Sequence, residues 1–372
     1  MSLARKTFVI SAINLTEAGP LSVLQDCVNV AVQCLTSEWD IVVLVNRLDL
    51  LEVDKVQLLA FPNSKKSWLY RLYYEWWHFK RLSKSLNADV WLSLHDITPN
   101  VTAGYQAVYC HNATPFYQMA WREISLEPKL WLFTLFYRYL YSCGIQRNDA
   151  VIVQQDWLRE EFKRLFKVQN VIVAHPVTDT INTTETTIKN KWMFFYPTLP
   201  RVFKQIEVVC EAAKLLHEQT AVEFEVYVTI KGDENRYAAS VFKQYGHLDY
   251  IKFIGRQTRE AVFQYYADCD CVLFPSLLET WGLPISEAKA FKKPLLVADL
   301  PYAHETVGDY DKIAFLNPHS APVWAETMQL MMTKKIIWTP AIANTIAEPF
   351  AENWRELLTR LTTGMQSCKQ SM

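Results

Sequence analysis

Two glutamates, Glu279 and Glu287, have the types and spacing that point most directly to chemistry, with seven residues between them. The sequence WGLP at 281–284 lies between the two, and its proline is well placed to begin a helix carrying Glu287 in its first turn. A helix N-terminus offers unpaired backbone N–H groups and a partial positive charge to an anion. A diphosphate can therefore bind the amides while the carboxylates reach hydroxyl groups on either side, which is the chemistry of nucleotide-sugar binding.

The segment 274–309 resembles the donor-binding signature of the GT-B glycosyltransferases of family 4, with their E-x7-E motif. The positions that match the family pattern are Glu279, Gly282, Leu283, Pro284, Glu287, Ala288, Pro294, Asp299 and Glu305. Two positions depart from it, because Lys293 replaces the usual glycine and Ala298 the usual serine or cysteine. Within the family, the bacterial O-antigen and capsule mannosyltransferases are the most similar in character. The alternative is a strand, turn and helix of an unrelated α/β protein with incidental glutamates.

The resemblance implies a retaining hexosyltransferase whose donor is a nucleotide diphosphate sugar, with GDP-mannose favoured. It assigns Glu279 to the donor-sugar hydroxyls and to the positive charge of the transition state, and Glu287 to the ribose hydroxyls. The backbone around Trp281, Gly282 and Leu283 would stabilise the departing diphosphate electrostatically. We expect no metal or other cofactor, because a lysine and backbone amides can neutralise the phosphates.

A lysine and an arginine follow the run 192–196, where the family carries its phosphate-binding residues. Lys204 matches the family lysine, and its ammonium group would neutralise the donor diphosphate. The family arginine is displaced, because Leu199 occupies its position. Arg201 is the candidate to replace it, and an ordinary surface arginine is the alternative.

Two glycines are candidates for close approach of the backbone to the donor. Gly255 matches a family element beside the nucleobase. Gly19 lies in the loop after the first expected strand, where the family commonly has a glycine pair and this chain has Ala18-Gly19. A purely structural glycine is the alternative reading of Gly19.

Polar residues also follow two expected strands of the first half, in the sequences SLHD and YCHN. The resemblance gives His111 a hydrogen bond or charge stabilisation near the anomeric carbon. His95, Asp96 and Asn112 are candidates for the acceptor side of the site. The alternatives are a structural role for each histidine and, for Asp96, the orientation of a neighbouring loop.

Short apolar runs separated by helical stretches must position all these residues. They lie at 8–12, 41–46, 56–61, 90–94, 107–110, 150–153 and 171–174, and again at 192–196, 224–229, 251–254, 271–274, 295–298 and 313–316. Such runs predict parallel strands buried on both faces, and parallel α/β sheets bind ligands at the carboxyl ends of their strands. The expected fold class is therefore α/β, of the GT-B type, with two Rossmann-like doubly wound domains facing a central cleft.

The expected domains are 1–180 on the acceptor side and 181–345 on the donor side, with the polar stretch 178–191 as the linker. The family resemblance adds a C-terminal helix, about 346–372, that crosses back to complete the first domain. Trp354 is the residue expected to dock there.

Composition narrows the function classes. In a chain of 372 residues, 50% hydrophobic content allows a large core, and 38 basic against 39 acidic residues give a net charge of −1. We therefore expect no nucleic-acid partner. The eight cysteines are scattered, and the close pair Cys269 and Cys271 would alternate along a strand, so we expect reduced thiols in a cytoplasmic protein.

Two aromatic stretches bear on the acceptor, namely 64–85, which is also basic, and 130–141. Basic helices with Trp and Tyr can lie in a membrane interface, which would suit an oligosaccharide or polyprenyl-diphosphate-linked glycan acceptor at the inner face of the cytoplasmic membrane. The alternative is that both helices pack their aromatic side chains against a sheet. No apolar run approaches the ~18 residues of a membrane span, and the N-terminal run predicts a strand rather than a signal peptide.

Three further functions compete with glycosyl transfer. A nucleotide-sugar epimerase and a non-catalytic nucleotide-sugar-binding protein could both use this fold. An NAD-dependent oxidoreductase is disfavoured, because no complete G-x-G-x-x-G follows the first strand.

Overall fold

The computed structural model describes residues 5–176, 191–340, 342 and 345–370. The chain divides into two compact units. The first unit comprises Met1–Phe116, Leu135–Val177 and Ile346–Met372, and the second comprises Tyr117–Thr134 and Thr178–Thr345. The predicted linker, 178–191, lies outside the described residues except for Lys191.

Within the described residues, the first unit has an eight-stranded sheet whose neighbouring strands are all parallel. Its strands are β1 (Lys6–Ser11), β2 (Trp39–Val45), β3 (Gln57–Ala60), β4 (Val90–Ser93), β5 (Tyr105–Cys110), β6 (Ala150–Val153), β7 (Val171–Ala174) and β14 (Phe350–Ala351). Their order across the sheet is β14-β7-β6-β5-β4-β1-β2-β3. The direction of winding reverses between β1 and β4, the kind of position at which doubly wound sheets bind ligands.

The second unit has a six-stranded sheet, also parallel throughout the described residues. Its strands are β8 (Trp192–Tyr196), β9 (Phe224–Val228), β10 (Ile251–Phe253), β11 (Cys271–Phe274), β12 (Leu295–Ala298) and β13 (Ile313–Leu316). The order is β10-β9-β8-β11-β12-β13, so the winding reverses between β8 and β11. These two sheets confirm the predicted pair of doubly wound α/β domains.

Helices connect the strands in both units. They are α1 (Ala18–Leu35), α2 (Trp68–Tyr73), α3 (Phe79–Ser85), α4 (Trp121–Leu126), α5 (Pro128–Ser142), α6 (Asp156–Phe166), α7 (Ile206–Gln219), α8 (Arg236–Tyr245), α9 (Arg259–Asp268), α10 (Leu283–Ala290), α11 (Pro301–Val307), α12 (Ala321–Met332) and α13 (Trp354–Gln370). A π-helical turn, Tyr74–His78, joins α2 to α3 without a break.

The C-terminal helix α13 packs into the core of the first unit. Trp354, Leu357 and Leu361 are buried in that core. The indole ring of Trp354 stacks on the ring of Tyr109 in β5, with centroids 5.5 Å apart and planes 28° from parallel. The helix therefore covers the sheet of the first unit with its apolar side.

Residues 117–134, here called the inserted segment, depart from the expected division, because they cluster with the second unit rather than with the rest of 1–180. Tyr117 packs edge-on against Phe203, with ring centroids 5.6 Å apart. Glu127 forms an ion pair with Arg201 at 2.8 Å. These contacts explain why a segment that follows β5 in sequence belongs to the other compact unit.

The aromatic stretch 64–85 is helical over much of its length, and its buried side is unexpectedly polar. Residues at four-residue spacing face inward, namely Arg71, Glu75, Phe79 and Ser83. The exposed large apolar side chains include Leu69, Tyr70, Tyr73 and Trp77. Inward packing of the aromatics, the alternative to membrane contact, therefore does not hold for these residues. None of the described helices combines the length and apolar character needed to cross a bilayer.

Candidate functional site

The centre of the second sheet brings a lysine and a glutamate together. Lys204 lies in the loop after β8 and Glu279 in the loop after β11, and these two strands are direct neighbours. Lys204 Nζ donates a hydrogen bond to Glu279 Oε1, so the two form an ion pair. Each side chain is only 14% exposed. The two residues that the sequence assigned to one donor site thus meet at the reversal point of this sheet.

The turn that carries Lys204 is closely supported. Val202–Lys204 forms one 3-10 turn, and Tyr196 donates its hydroxyl to the Lys204 carbonyl at 2.5 Å. The Lys204 ammonium group lies 5.4 Å from the ring centroid of Phe274, within range of a cation–π interaction. The position of Lys204 is therefore set by its backbone and by its neighbours as well as by Glu279.

Helix α10 begins directly after the loop of Glu279. Gly282 precedes it with φ 87°, a left-handed conformation that glycine adopts without strain. A Cβ at Gly282 would also lie 3.3 Å from Ile285 Cδ1, so a larger residue would crowd the helix start. The first backbone N–H groups of α10 thus lie at the mouth of the loop, as a diphosphate site requires.

Glu287 lies one turn further along α10 than the sequence suggested. The helix begins at Leu283, so its first turn contains no acidic residue, and Glu287 belongs to the second turn. Its carboxylate Oε2 accepts a hydrogen bond from the Tyr266 hydroxyl at 2.8 Å. Tyr266 is itself buried in the second unit, so it fixes the orientation of this carboxylate.

Trp281 and Leu283 flank Gly282 in different environments. The Trp281 side chain is buried, and its Nε1 donates to Ser286 Oγ at 2.9 Å. Thr306 donates its hydroxyl to the Trp281 carbonyl, which ties the loop to α11. Leu283 is exposed. The indole ring therefore holds the loop in place, and only its backbone remains a candidate for donor contact.

The two glycine candidates lie in different units. Gly255 follows β10 with φ 70°, and its N–H donates to the Ile230 carbonyl at 3.0 Å. Gly19 lies in the first turn of α1 in the first unit. A Cβ there would meet no described atom within 4 Å, so packing does not require glycine at this position.

In the first unit, Asp96 organises the loop that carries His111. Its Oδ1 accepts hydrogen bonds from the backbone N–H groups of His111 at 2.8 Å and Asn112 at 3.1 Å. The same oxygen accepts from the Tyr141 hydroxyl at 2.8 Å. Asp96 itself has φ 66°, a left-handed conformation that aspartate tolerates better than most residues. The geometry therefore favours loop orientation, the alternative role of Asp96.

The imidazole ring of His111 lies beside the same carboxylate. Its Nε2 is 3.5 Å from Asp96 Oδ2, and its side chain is 20% exposed. Its Nδ1 is buried and has no hydrogen-bond partner among the described residues. His111 therefore presents a partly accessible ring held near a carboxylate, which is compatible with a role at a reacting sugar.

His95 is completely buried, which favours the structural role that was the alternative to its predicted place on the acceptor side. It has no exposed surface, and its Nε2 lies 3.2 Å from both Ser11 Oγ and Glu75 Oε1. Arg71 donates to the His95 carbonyl at 2.7 Å. Burial holds the pKa of His95 well below its usual value, so the ring is neutral. These contacts place His95 in the core, just after the end of β4.

The structure adds two acidic residues that the sequence analysis missed. Glu75 is completely buried, and burial raises its pKa to about 8 against the opposing effect of Arg71. Its four-residue spacing from Arg71 was the available signal. Glu127 is buried beside Arg201 in the second unit. It gives no sequence signal, because its partner lies 74 positions further along the chain.

Arg201 forms an ion pair with another residue of the second unit. Its Nη1 donates to Glu127 Oε1 at 2.8 Å, although its side chain remains 48% exposed. Among the described residues, no group of three or more His, Cys, Asp and Glu side chains could hold a metal ion.

Comparison with known sequences identifies the same region. Residues 180–346 match the family described as Glycosyl transferases group 1. The chain is 25% identical over 226 residues to the GtfA subunit of the UDP-N-acetylglucosamine–peptide N-acetylglucosaminyltransferase of Streptococcus pneumoniae serotype 4, covering 58% of this chain and 43% of that protein. The corresponding subunit of Streptococcus agalactiae is 24% identical over 201 residues, covering 51% and 38%. This chain thus spans less than half the length of these curated relatives.

Solved structures share the fold along nearly the whole chain. Sucrose-phosphate synthase from Thermosynechococcus elongatus superposes with a TM-score of 0.63 at 12% identity, covering 98% of this chain and 95% of that chain. The apo form of the lipopolysaccharide outer core galactosyltransferase WaaB gives 0.60 at 12% identity, covering 98% and 99%. Anabaena HepE in complex with UDP and glucose gives 0.59 at 15% identity, covering 99% of both chains.

These comparisons confirm the predicted GT-B fold. The matched family and both curated relatives are transferases, which supports the prediction of an enzyme. Both curated relatives are glycosyltransferase subunits and neither is an epimerase, so the comparisons do not support the epimerase alternative.

Proposed function

We propose that this protein, a transferase of the GT-B glycosyltransferase superfamily, moves a hexose from a nucleotide diphosphate sugar to a glycan acceptor. The observation that carries the proposal is the ion pair between Lys204 and Glu279 where the winding of the second sheet reverses. A cation for the phosphates and a carboxylate for the sugar lie there side by side, next to the N-terminus of α10. This pairing lies inside the region that matches the family.

Donor binding would replace the ion pair of Lys204 with Glu279 by an ion pair of Lys204 with the diphosphate. The diphosphate takes the Lys204 ammonium group and the first N–H groups of α10, and it thereby releases the Glu279 carboxylate. Glu279 then accepts hydrogen bonds from the sugar hydroxyls and stabilises positive charge at the anomeric carbon. Glu287, oriented by Tyr266, accepts from the ribose hydroxyls.

We propose that transfer proceeds with retention. The bond from the anomeric carbon to the diphosphate oxygen breaks, and a bond to the acceptor oxygen forms on the same face of the sugar. The leaving phosphate takes the acceptor proton, so the reaction requires no separate base. Lys204 and the α10 amides stabilise the negative charge on the leaving group, so we propose that no metal is needed. The family resemblance also proposes a charge-stabilising role for His111, whose loop Asp96 holds within the first unit.

Guanosine and uridine are the two candidates for the base of the donor, and the experiment below distinguishes them. The family resemblance favours GDP-mannose, whereas the curated relatives carry UDP-N-acetylglucosamine in their names and HepE holds UDP. We propose a GDP- or UDP-linked hexose and an acceptor in surface polysaccharide synthesis, such as an oligosaccharide or a polyprenyl-diphosphate-linked glycan. The exposed aromatics of 64–85 support a location at the inner face of the cytoplasmic membrane.

The test is a panel of GDP- and UDP-linked hexoses with the purified full chain. One donor is expected to raise the melting temperature, because a ligand of the native state stabilises it. The same donor should release its nucleoside diphosphate faster when a polyprenyl-diphosphate-linked glycan is present. A donor that stabilises the protein but gives no product with any glycan would indicate a non-catalytic binding protein. Neither stabilisation nor release with any donor would refute the proposed function.

A further inference from the structure

A buried carboxylate in the second unit accepts hydrogen bonds mainly from one loop. Glu127 lies between α4 and α5, and its side chain is 4% exposed. Its Oε1 accepts from Arg201 Nη1 at 2.8 Å, and its Oε2 accepts from the Val202 backbone N–H at 2.8 Å. The Asn235 side-chain amide lies 3.4 Å from Oε1. A charge buried this deeply is stable only when such partners surround it.

The groups that Glu127 holds belong to the turn of Lys204. Arg201 precedes the 3-10 turn Val202–Lys204, and the Lys204 N–H donates back to the Arg201 carbonyl at 2.8 Å. Gln205, immediately after the turn, has φ 51°. A glutamine in the left-handed region is unfavourable by itself, so the surrounding contacts must hold this turn in shape.

Neutral contacts hold the rest of the same turn. Asn235 donates to the Pro200 carbonyl at 2.6 Å, and Leu277 donates its N–H to the Phe203 carbonyl at 2.7 Å. Among these contacts, Glu127 supplies the charged one, and it holds the turn from the side of the inserted segment.

We propose that Glu127 and Arg201 are positioning residues, which hold the turn so that the Lys204 ammonium group faces the donor diphosphate. This inference rests on the proposed function. It reassigns Arg201 from a direct phosphate ligand to half of a clamp, because its guanidinium group already binds a buried carboxylate. The clamp consists of Glu127, Arg201 and the Val202 N–H.

The proposed clamp affects donor binding by positioning Lys204. Its effect on affinity should therefore require Lys204, whereas a general structural role would not. Glu127→Gln keeps the shape of the side chain but removes the charge that binds Arg201. The affinity for the nucleoside diphosphate product should fall by about tenfold, the usual scale for losing a charged hydrogen bond. In a Lys204→Met background the same substitution should change the affinity by less than about twofold, because residues that act through one another are not additive.

The matched control is Glu123→Gln in the same inserted segment. Glu123 accepts from the Tyr117 hydroxyl at 2.7 Å and the Ala120 N–H at 2.8 Å. It reaches the Lys204 turn through the ring contact of Tyr117 with Phe203, and among the described residues it makes no hydrogen bond to that turn. Calorimetric titration with UDP and GDP measures the affinity of each variant, and circular dichroism monitors folding. Glu123→Gln should bind like the natural chain.

Each outcome decides between the proposed function and the clamp. If the natural chain binds neither UDP nor GDP, the proposed function fails and the clamp fails with it. If the natural chain binds and Lys204→Met weakens binding, normal affinity of Glu127→Gln overturns the clamp alone. Equal losses in the two backgrounds also overturn it. If Glu127→Gln does not fold, Arg201→Ala replaces it in the same cycle, since that side chain is 48% exposed.

Discussion

At the scale of single residues, the two charged side chains of the candidate site, Lys204 and Glu279, are paired with each other. Lys204 and Glu279 are each 14% exposed, so neither is well solvated and each is the counter-charge of the other. Under the proposed function, a donor diphosphate competes with Glu279 for the ammonium group. The proposal thereby couples donor binding to the release of the carboxylate toward the sugar, in one exchange of partners.

This exchange predicts opposite effects of Glu279→Gln on binding and on turnover. The amide keeps the size of the side chain but no longer competes for Lys204, so the affinity for the nucleoside diphosphate should stay equal or increase. Turnover should fall by about 100-fold or more, because the charge that stabilises the transition state is lost. Calorimetry and product release measure the two quantities on the same preparation. Near-normal turnover by the folded variant would remove Glu279 from the reaction.

The sequence could predict some site residues and not others, for reasons that lie in the distance between partners. Glu279 and Lys204 belong to two separate motifs, and each follows a strand whose place in the sheet is predictable. Glu127 binds its turn across 74 residues of sequence and follows no strand. Such a long-range contact leaves no local pattern from which it could be predicted.

The two histidines show the same limit from another side. His95 follows a strand just as His111 does, so the sequence treats them alike. In the folded protein Glu75, Arg71 and Ser11 enclose His95, whereas the ring of His111 stays partly accessible.

At the scale of elements, the π-helical turn Tyr74–His78 places an acid inside the first unit. Glu75 Oε1 lies 3.2 Å from His95 Nε2, yet neither carboxyl oxygen of Glu75 has a hydrogen bond with a described residue. Arg71 enters from the preceding turn of the helix and opposes the effect of burial on the pKa of Glu75. The π-helical turn thus brings the carboxyl group of Glu75 beside His95, just after the end of β4.

The raised pKa of Glu75 predicts how pH affects the first unit. Burial raises the pKa of Glu75 from 4.5 to about 8, so between these pH values the folded state holds a proton that the unfolded state has lost. Its stabilising contribution is complete below pH 4.5 and is lost as the pH rises through 8, with a slope of up to about 1.4 kcal/mol per pH unit.

Glu75→Gln should remove this slope. Urea unfolding at pH 6 and pH 8 should show the natural chain losing more stability than the variant over that interval. Because His95 and the other titrating groups remain in both proteins, the difference isolates Glu75. Glu123→Gln serves as the control, because it replaces an acid that is hydrogen-bonded in the second unit, and it should keep the slope of the natural chain. Identical pH dependence of the Glu75→Gln variant and the natural chain would contradict the raised pKa.

Whole strands are more predictable than their helical connections. Each apolar run forms a strand to within two residues at either end. Most of these strands are buried on both faces, which needs continuous apolar sequence, whereas β3 at the edge of its sheet is partly exposed. The strand Phe350–Ala351 gives no such signal, since it has only two residues. In the helix of 64–85, the composition indicates amphipathic character, but the inward side carries Arg71 and Glu75 rather than most of the aromatics.

At the scale of the whole molecule, the sequence predicts two doubly wound sheets but not the complete membership of each unit. Domain boundaries in sequence are sought at polar linkers, and the inserted segment joins the second unit without one. Its ties are a buried carboxylate and the aromatic contact of Tyr117 with Phe203, which are tertiary features. The family pattern predicts the fold, whereas contacts between distant parts of the chain decide where this segment belongs.

The exposed aromatics of the first unit give the last prediction, which concerns where the whole molecule works. Tyr73 and Trp77 are exposed on the same stretch as the exposed bases Lys80 and Lys84, a combination that suits an anionic lipid surface. The protein should float with vesicles containing anionic lipid and bind less to neutral vesicles. Replacing Tyr73 and Trp77 with serine should reduce flotation severalfold.

The control is Ile337→Ser, which removes a side chain that is 90% exposed in the second unit and lies outside the described helices. If general stickiness caused the flotation, both changes would reduce it alike. If the stretch 64–85 contacts lipid, only the Tyr73 and Trp77 variant should lose binding to the vesicles. High salt should also weaken the binding of the natural chain to anionic vesicles, because the basic side chains contribute to it. Absence of flotation at low salt would remove the membrane from the proposal and leave transfer to a water-soluble glycan.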